Sequence, residues 1–291
     1  MLQYMFADAL EKLFVLSSPC KLCPRNCLAK RKEGQVGYCG IGAESVVSSA
    51  GPHFSEEPVL VGTGGSGTIF FAGCNLSCVF CQNYDISHFR QGQMFSIEQL
   101  AQIMLKLQKT GCVNINLVSP SHIAYQAAAA IEIARKEGLN LPIVYNSGGY
   151  DSIETLRLLE DFVDIYMPDM KYADGAAAAK YSDVADYPQV NFAAVKEMHR
   201  QKGDLIVKNG LAVKGLLVRH LVLPNNLAGS KKVIDFLADE VSTSTFINVM
   251  AQYRPCYNAA KYPELNCPPN YEYIDELRSY AAGRGLRLSA D

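Results

Sequence analysis

The sequence predicts an α/β fold, a parallel sheet of six strand–helix units flanked by helices, behind a cysteine-rich N-terminal extension. Three observations carry this. From about residue 67 onward, short β-rich runs alternate with longer amphipathic ones, the signature of repeated crossover units. An apolar fraction of 49% and a charged fraction of 19% over 291 residues are enough to bury a core. Seven of the ten cysteines crowd into two groups, Cys20, Cys23, Cys27 and Cys39, then Cys74, Cys78 and Cys81.

The elements follow in order. Leu2 to Leu16 reads as a helix, and Gly67 to Phe71 as the first strand, entering a loop at Gly73. Ser96-Ile97-Glu98-Gln99 is a capping-box signature before a helix whose Leu100, Ile103, Met104 and Leu107 share a face, with Gly111 placed to end it. Val113 to Val118 is the second strand, followed by the alanine-rich helix after Pro120. Pro142 to Tyr145 and Phe162 to Met167 are the third and fourth strands, each followed by a helix, near Ile153 to Leu159 and Val190 to Gln201. Gly215 to Leu223 is the fifth strand, Lys231 to Ala238 a helix, Thr245 to Met250 the sixth strand, and a last helix begins near Tyr271. The alanine runs 127–130 and 176–179 read as helix filler. Residues 1–65 do not fit the repeat and read as a helix, a cysteine-rich metal-binding knuckle and a connecting segment. Residues 66–291 form the repeat itself. Ligands are expected where its strands end.

Composition narrows the function. Lys+Arg 27 against Asp+Glu 29 gives a net charge of −2, with no basic stripe for a nucleic acid. No run approaches the roughly 18 apolar residues of a membrane span, and Met1 to Leu10 lacks the pattern of a secretion signal. A cytoplasmic, reducing and anoxic setting is therefore expected, in which clustered thiols hold metal rather than disulfides.

Cys74, Cys78 and Cys81 lie directly after the first strand. Three thiolates can hold three corners of an iron–sulfur cube and leave the fourth iron open to an external ligand. The alternative is a structural zinc site with a distant fourth ligand. Cys20-Lys21-Leu22-Cys23-Pro24-Arg25-Asn26-Cys27 and Cys39 supply four thiols, which close either a zinc tetrahedron or a cubane. Cys112, Cys256 and Cys267 stand alone; Cys256 and Cys267 flank a proline-rich loop and read as incidental thiols, with a redox or ligand role as the alternative.

The C-x3-C-x-aromatic-C pattern at the end of a first strand resembles the radical S-adenosylmethionine (SAM) superfamily. Nearly the whole chain resembles its pyruvate formate-lyase activating enzyme-like, PflX-type branch, through Gly51-Pro52-His53-Phe54, Cys81-Gln82-Asn83-Tyr84, Asn146-Ser147-Gly148-Gly149, Asp169-Met170-Lys171 and Gln252-Tyr253-Arg254-Pro255. The resemblance implies a partial (βα)6 radical SAM barrel, a [4Fe–4S] cluster on Cys74, Cys78 and Cys81, and SAM on the open iron. Reductive cleavage would give methionine and a 5′-deoxyadenosyl radical that abstracts hydrogen from a substrate. The resemblance further implies an electron donor of the flavodoxin or ferredoxin type and, as substrate, a glycyl radical enzyme or a peptide. A small-molecule substrate is an alternative within the class, and a non-catalytic Fe–S electron-transfer or metal-binding protein is the alternative outside it.

Cofactor-binding residues are carried over by position. Phe80 is placed to pack beside the adenine. Ser119-Pro120-Ser121-His122 stands where the family often has Gly-Gly-Glu-Pro, so Ser119 offers a backbone contact and no carboxylate. Asn146 replaces an acid in the turn that contains Gly148. Lys171 would neutralise the SAM carboxylate and Asp169 would orient it or a ribose hydroxyl, two residues apart on one face. Arg219, in an apolar strand, and Arg254, after the sixth strand, are further candidates for the anion or the substrate. His88, His122 and His220 are expected to be satisfied locally.

Overall fold

The computed structural model describes residues 2–289, so Met1, Ala290 and Asp291 at the ends of the two expected segments lie outside it. Among the described residues ten strands make one sheet: β1 (Ser45–His53), β2 (Ser66–Phe71), β3 (Gln93–Phe95), β4 (Ile115–Val118), β5 (Ile143–Ser147), β6 (Ile165–Pro168), β7 (Ile206–Lys208), β8 (Leu211–Leu221), β9 (Phe246–Met250) and β10 (Arg287–Leu288). Their order is β10-β9-β8-β6-β5-β4-β2-β1-β3, with β7 paired to β8. From β2 to β9 the path is parallel, as crossover helices require. β1 and β3 add an antiparallel edge beyond β2. The two outer strands do not meet, so the barrel stays open.

Side chains alternate across this sheet, and the alternation sorts the core into two parts. Ile69, Leu117, Tyr145, Tyr166, Val218 and Val249 face the surrounding helices. Val144, Ile165, Met167, Leu217 and Phe246 face inward, where they pack with Leu60 of the short helix Pro58–Val61. This inner plug lies toward the amino ends of the strands. Two residues further along the same inner face stand Asn146, Arg219 and Asn248. Polar groups line the barrel where it opens, and Thr68 and Asn116, paired in register with Val144, place buried polar side chains at the level of the plug as well.

Helix ends follow local chemistry. Ser96 accepts from the Gln99 N–H at 3.2 Å while Gln99 Oε1 accepts from the Ser96 N–H at 2.9 Å, completing the capping box of helix Ile97–Lys109. Asp174 caps helix Gly175–Ser182 by accepting from the N–H groups of Ala176 and Ala177 at 2.9 and 3.0 Å.

The connecting segment expected before residue 66 contains a strand not singled out from the sequence, Ser45–His53, paired into the sheet. Its alternation is broken by Ser48, Ser49 and Gly51, and its register shifts between Val47 and Ser49. The fifth predicted strand begins earlier, at Leu211, because Asn209 and Gly210, with φ of 52° and 81°, turn β7 back onto β8. No helix among the described residues is long and apolar enough to cross a membrane.

Candidate active site

The chain leaves β2 at Phe71 and turns at Gly73, whose φ is +79° and where a Cβ would meet the Cys39 carbonyl at 2.7 Å. Glycine is required there on both counts. The following loop is pinned from three directions. The Ser77 and Val79 N–H groups donate to the Ser182 and Tyr181 carbonyls at 3.2 and 2.9 Å. Asn75 Nδ2 donates to the Tyr150 carbonyl at 2.7 Å, and Arg25 Nε donates to the Asn75 carbonyl at 2.8 Å.

Each of the three thiols on this loop has a hydrogen-bond partner. The Leu76 N–H reaches Cys74 Sγ at 3.4 Å, the Ser182 hydroxyl donates to Cys78 Sγ at 3.0 Å, and Ser87 Oγ lies 3.2 Å from Cys81 Sγ. Burial, reinforced by the neighbouring Cys78, pushes the Cys74 thiol up to about 12. Burial also raises Cys78, against the opposing pull of the Lys171 charge. Thiols so placed ionise against a bound cation. Among the described residues no three Cys, His, Asp or Glu side chains close around a single ion. A donor set of three sulfurs on one loop suits a cube held by three corners, each on its own iron.

Beside the thiols lies a charged network from the strand ends. Lys171 Nζ is 2.6 Å from Asp169 Oδ2, so the two side chains do share a face. Arg219 Nε donates to Asp169 Oδ1 at 3.0 Å and its Nη2 to Asn146 Oδ1 at 2.9 Å. Burial alone would raise the Asp169 carboxyl, but Arg219 and Lys171 together hold it below the usual range. Burial works against the Lys171 ammonium too, yet Asp169 and then Cys78 raise its pKa and keep it charged. Lys171 is thus a held cation within electrostatic reach of the cysteine loop, available to a carboxylate.

The two turns that carry these groups are tied together. The Asn191 side-chain amide donates to the Gly149 and Asp169 carbonyls at 3.0 Å each. The Tyr187 hydroxyl accepts from the Lys171 N–H at 3.0 Å and lies 2.8 Å from the Gly148 carbonyl. Gly149, with φ +74°, leaves no room for a side chain, since a Cβ would fall 2.0 Å from the Asp169 oxygen.

The other candidates are placed as follows. Ser119 has φ +60° and donates its N–H to the Asn146 carbonyl at 2.8 Å, joining two strand exits. Phe80 is buried edge-on against Tyr172 and Tyr253, with ring centroids at 6.4 and 5.9 Å. Arg254 is exposed on the loop after β9 and is not drawn into the Asp169 network. His88, His122 and His220 each bond a carbonyl, of Cys78, Ala72 and Met170 respectively.

Several site residues carry no motif. Ser182 and Ser87 reach the sulfurs from outside the cysteine loop. Glu56 lies 3.8 Å from Arg219 Nη1, and Glu57 accepts from Asn248 Nδ2 at 2.9 Å. With Arg219, Asn248, Gln252 and Arg278 these acids line a cavity of about 440 Å³ at the barrel opening. The Glu56-Glu57-Pro58 run, two acids ahead of a helix-starting proline, was the available signal.

The sequence pattern of the Radical SAM superfamily matches residues 68–215. The uncharacterized protein MJ0674 of Methanocaldococcus jannaschii is 32% identical over 282 residues, spanning 94% of this chain and 77% of that protein. MJ0808, an uncharacterized protein of the same organism, is 25% identical over 297 residues, spanning 95% and 81%. Among solved structures, a radical SAM methyltransferase from Sphaerobacter thermophilus is similar at a TM-score of 0.54 and 15% identity, over 78% of this chain and 66% of that one. Streptococcus suis SuiB bound to the precursor peptide SuiA is similar at 0.51 and 10% identity, over 75% and 46%. These structural likenesses concern the fold alone. The chain belongs to the radical SAM superfamily, whose members use a [4Fe–4S] cluster and S-adenosylmethionine.

Proposed function

We propose that this chain is a PflX-type radical SAM enzyme that abstracts a hydrogen atom from a glycine residue of a partner protein, as a pyruvate formate-lyase activating enzyme-like activase. The observation that carries the radical chemistry is the trio of Cys74, Cys78 and Cys81 on one loop after β2, each sulfur with a protein hydrogen-bond partner. Bound there, the reduced cluster and SAM supply a hydrogen-abstracting carbon radical. The chain's own residues hold and shield. Lys171, kept protonated by Asp169, receives the SAM carboxylate. Asn146 and Arg219 set the position of Asp169 from below. The aromatic wall of Phe80, Tyr172 and Tyr253 keeps water from the reacting face.

Support for a glycine substrate comes from the opening itself. A cavity of about 440 Å³ with mixed charges accepts a narrow backbone segment with little side chain. The same lining favours a second reading, in which Glu56 and Arg219 bind a small polar substrate directly. The test is turnover by the anaerobically reconstituted protein with dithionite, SAM and peptides carrying α-deuterated glycine. Deuterium in the 5′-deoxyadenosine supports the activase. SAM cleavage with no deuterium from any glycine peptide supports the second reading, and an intact cluster without cleavage overturns both.

A further inference from the structure

A buried guanidinium in the N-terminal extension has no carboxylate to balance it. Arg31 is 3% exposed and forms no ion pair with Asp or Glu among the described residues. Its Nη1 donates to the His122 carbonyl at 2.7 Å, its Nη2 to Cys39 Sγ at 3.3 Å, and its Nε is buried without a partner. An unpaired charge in such a place is costly, so a nearby anion is required. The groups around it are thiols. Arg31 acts electrostatically on Cys20, Cys27 and Cys39, and a Cβ on Gly37 would touch its Nη2, Cys27 Sγ and Cys39 Sγ at 3.1, 3.2 and 3.4 Å.

Cys23 belongs to the same group, since its thiol feels the charges of Cys20, Cys27 and Cys39. Backbone N–H groups of Leu22, Arg25, Ala29, Tyr38 and Ile41 point at these four sulfurs. That pattern of donors suits sulfur atoms that carry negative charge. All four cysteines are free of disulfides. Their sulfurs, like those of Cys74, Cys78 and Cys81, do not close around a single ion.

We propose that Cys20, Cys23, Cys27 and Cys39 hold a second, fully ligated [4Fe–4S] cluster whose negative charge Arg31 balances. Four thiolates ligate such a cluster completely, one on each iron. The site is built against the radical loop. Arg25, between two of the ligands, donates to the Asn75 and Asp183 carbonyls at 2.8 and 2.7 Å. The Tyr38 hydroxyl lies 2.8 Å from Ser77 Oγ, and the Cys39 carbonyl abuts Gly73. The second cluster therefore fixes the shell in which the first one sits. The assignment does not depend on the substrate or on turnover.

The test removes the first cluster and counts metal. A Cys74→Ser/Cys78→Ser/Cys81→Ser variant, reconstituted anaerobically with iron and sulfide, should bind roughly four irons and four sulfides per chain with a thiolate-to-iron visible absorption. Adding Cys23→Ser to that variant should bring iron to background. A folded triple variant with background iron, or with one zinc in its place, overturns the assignment. Should the triple variant fail to fold, the wild-type count decides: roughly eight irons per chain supports the second cluster and roughly four contradicts it.

Discussion

The Ser182 hydroxyl donates to Cys78 Sγ at 3.0 Å across a separation of 104 residues. The same oxygen lies 2.7 Å from the Tyr172 hydroxyl, and the Ser182 carbonyl receives the Ser77 N–H. One residue at the end of helix Gly175–Ser182 thus holds both the backbone and a ligand atom of the radical loop. A hydrogen bond to a cluster sulfur stabilises the more negative, reduced state. Ser182→Ala should keep the cluster and lower its midpoint potential by on the order of tens of millivolts. An EPR-monitored redox titration reads this, and an unchanged potential would remove Ser182 from the tuning of the site.

Lys171 gives a second prediction. Its ammonium is held beside Asp169 at 2.6 Å and feels the charge of the cysteine loop. Lys171→Met keeps the bulk and removes the charge, so SAM affinity should fall by about ten- to hundredfold at unchanged iron content. Titrating SAM into the reduced cluster and following its EPR signal measures this. Equal affinity in the variant would show that the carboxylate is held elsewhere.

Gly149 separates geometry from charge. Its φ of +74°, and the 2.0 Å that would separate a Cβ there from the Asp169 oxygen, leave no room for a side chain. Gly149→Ala should cost about 1–3 kcal/mol from the backbone alone and weaken SAM binding by displacing Asp169. Thermal unfolding and SAM titration test the two effects, and a variant unchanged in both would contradict the packing described.

The pH dependence of stability has a defined direction. His220 is fully buried, placed between the Met170 carbonyl at 2.6 Å and Ser230 Oγ at 2.8 Å, and burial pushes its pKa down to about 4. The unfolded chain binds this proton below about pH 6.5, so the folded state loses stability as pH falls from there toward 4. The loss from this residue is about 3 kcal/mol when complete. His122, pushed down to about 3 by burial and by Arg31, acts in the same sense. Denaturant titrations at matched cluster loading should show a shallower acid loss in His220→Gln than in wild type, and equal slopes would contradict the neutral, buried imidazole.

Much of this architecture was legible because it is local. The capping box at Ser96, the thiol spacing at Cys74, Cys78 and Cys81, and the apolar parallel strands all announce themselves within a few residues. The missed parts are those set by partners distant in sequence. β1 breaks its alternation with serines and a glycine because it lies at the antiparallel edge of the sheet, so no periodicity marked it. The Asn209-Gly210 turn was a readable hairpin signal, masked by the longer apolar run that follows it. Ser182 and Arg31 have unremarkable local sequence, and their roles arise from what the fold brings beside them.

The central claim is that three cysteines leave one iron of the radical cluster open to SAM. The direct measurement is ENDOR spectroscopy of the reduced protein with SAM labelled at its amino nitrogen and carboxylate oxygen. Hyperfine coupling of both labels to the cluster is the predicted result, together with a changed EPR spectrum on SAM addition. An intact reduced cluster whose spectrum SAM leaves unmoved, with neither label coupled, would contradict it.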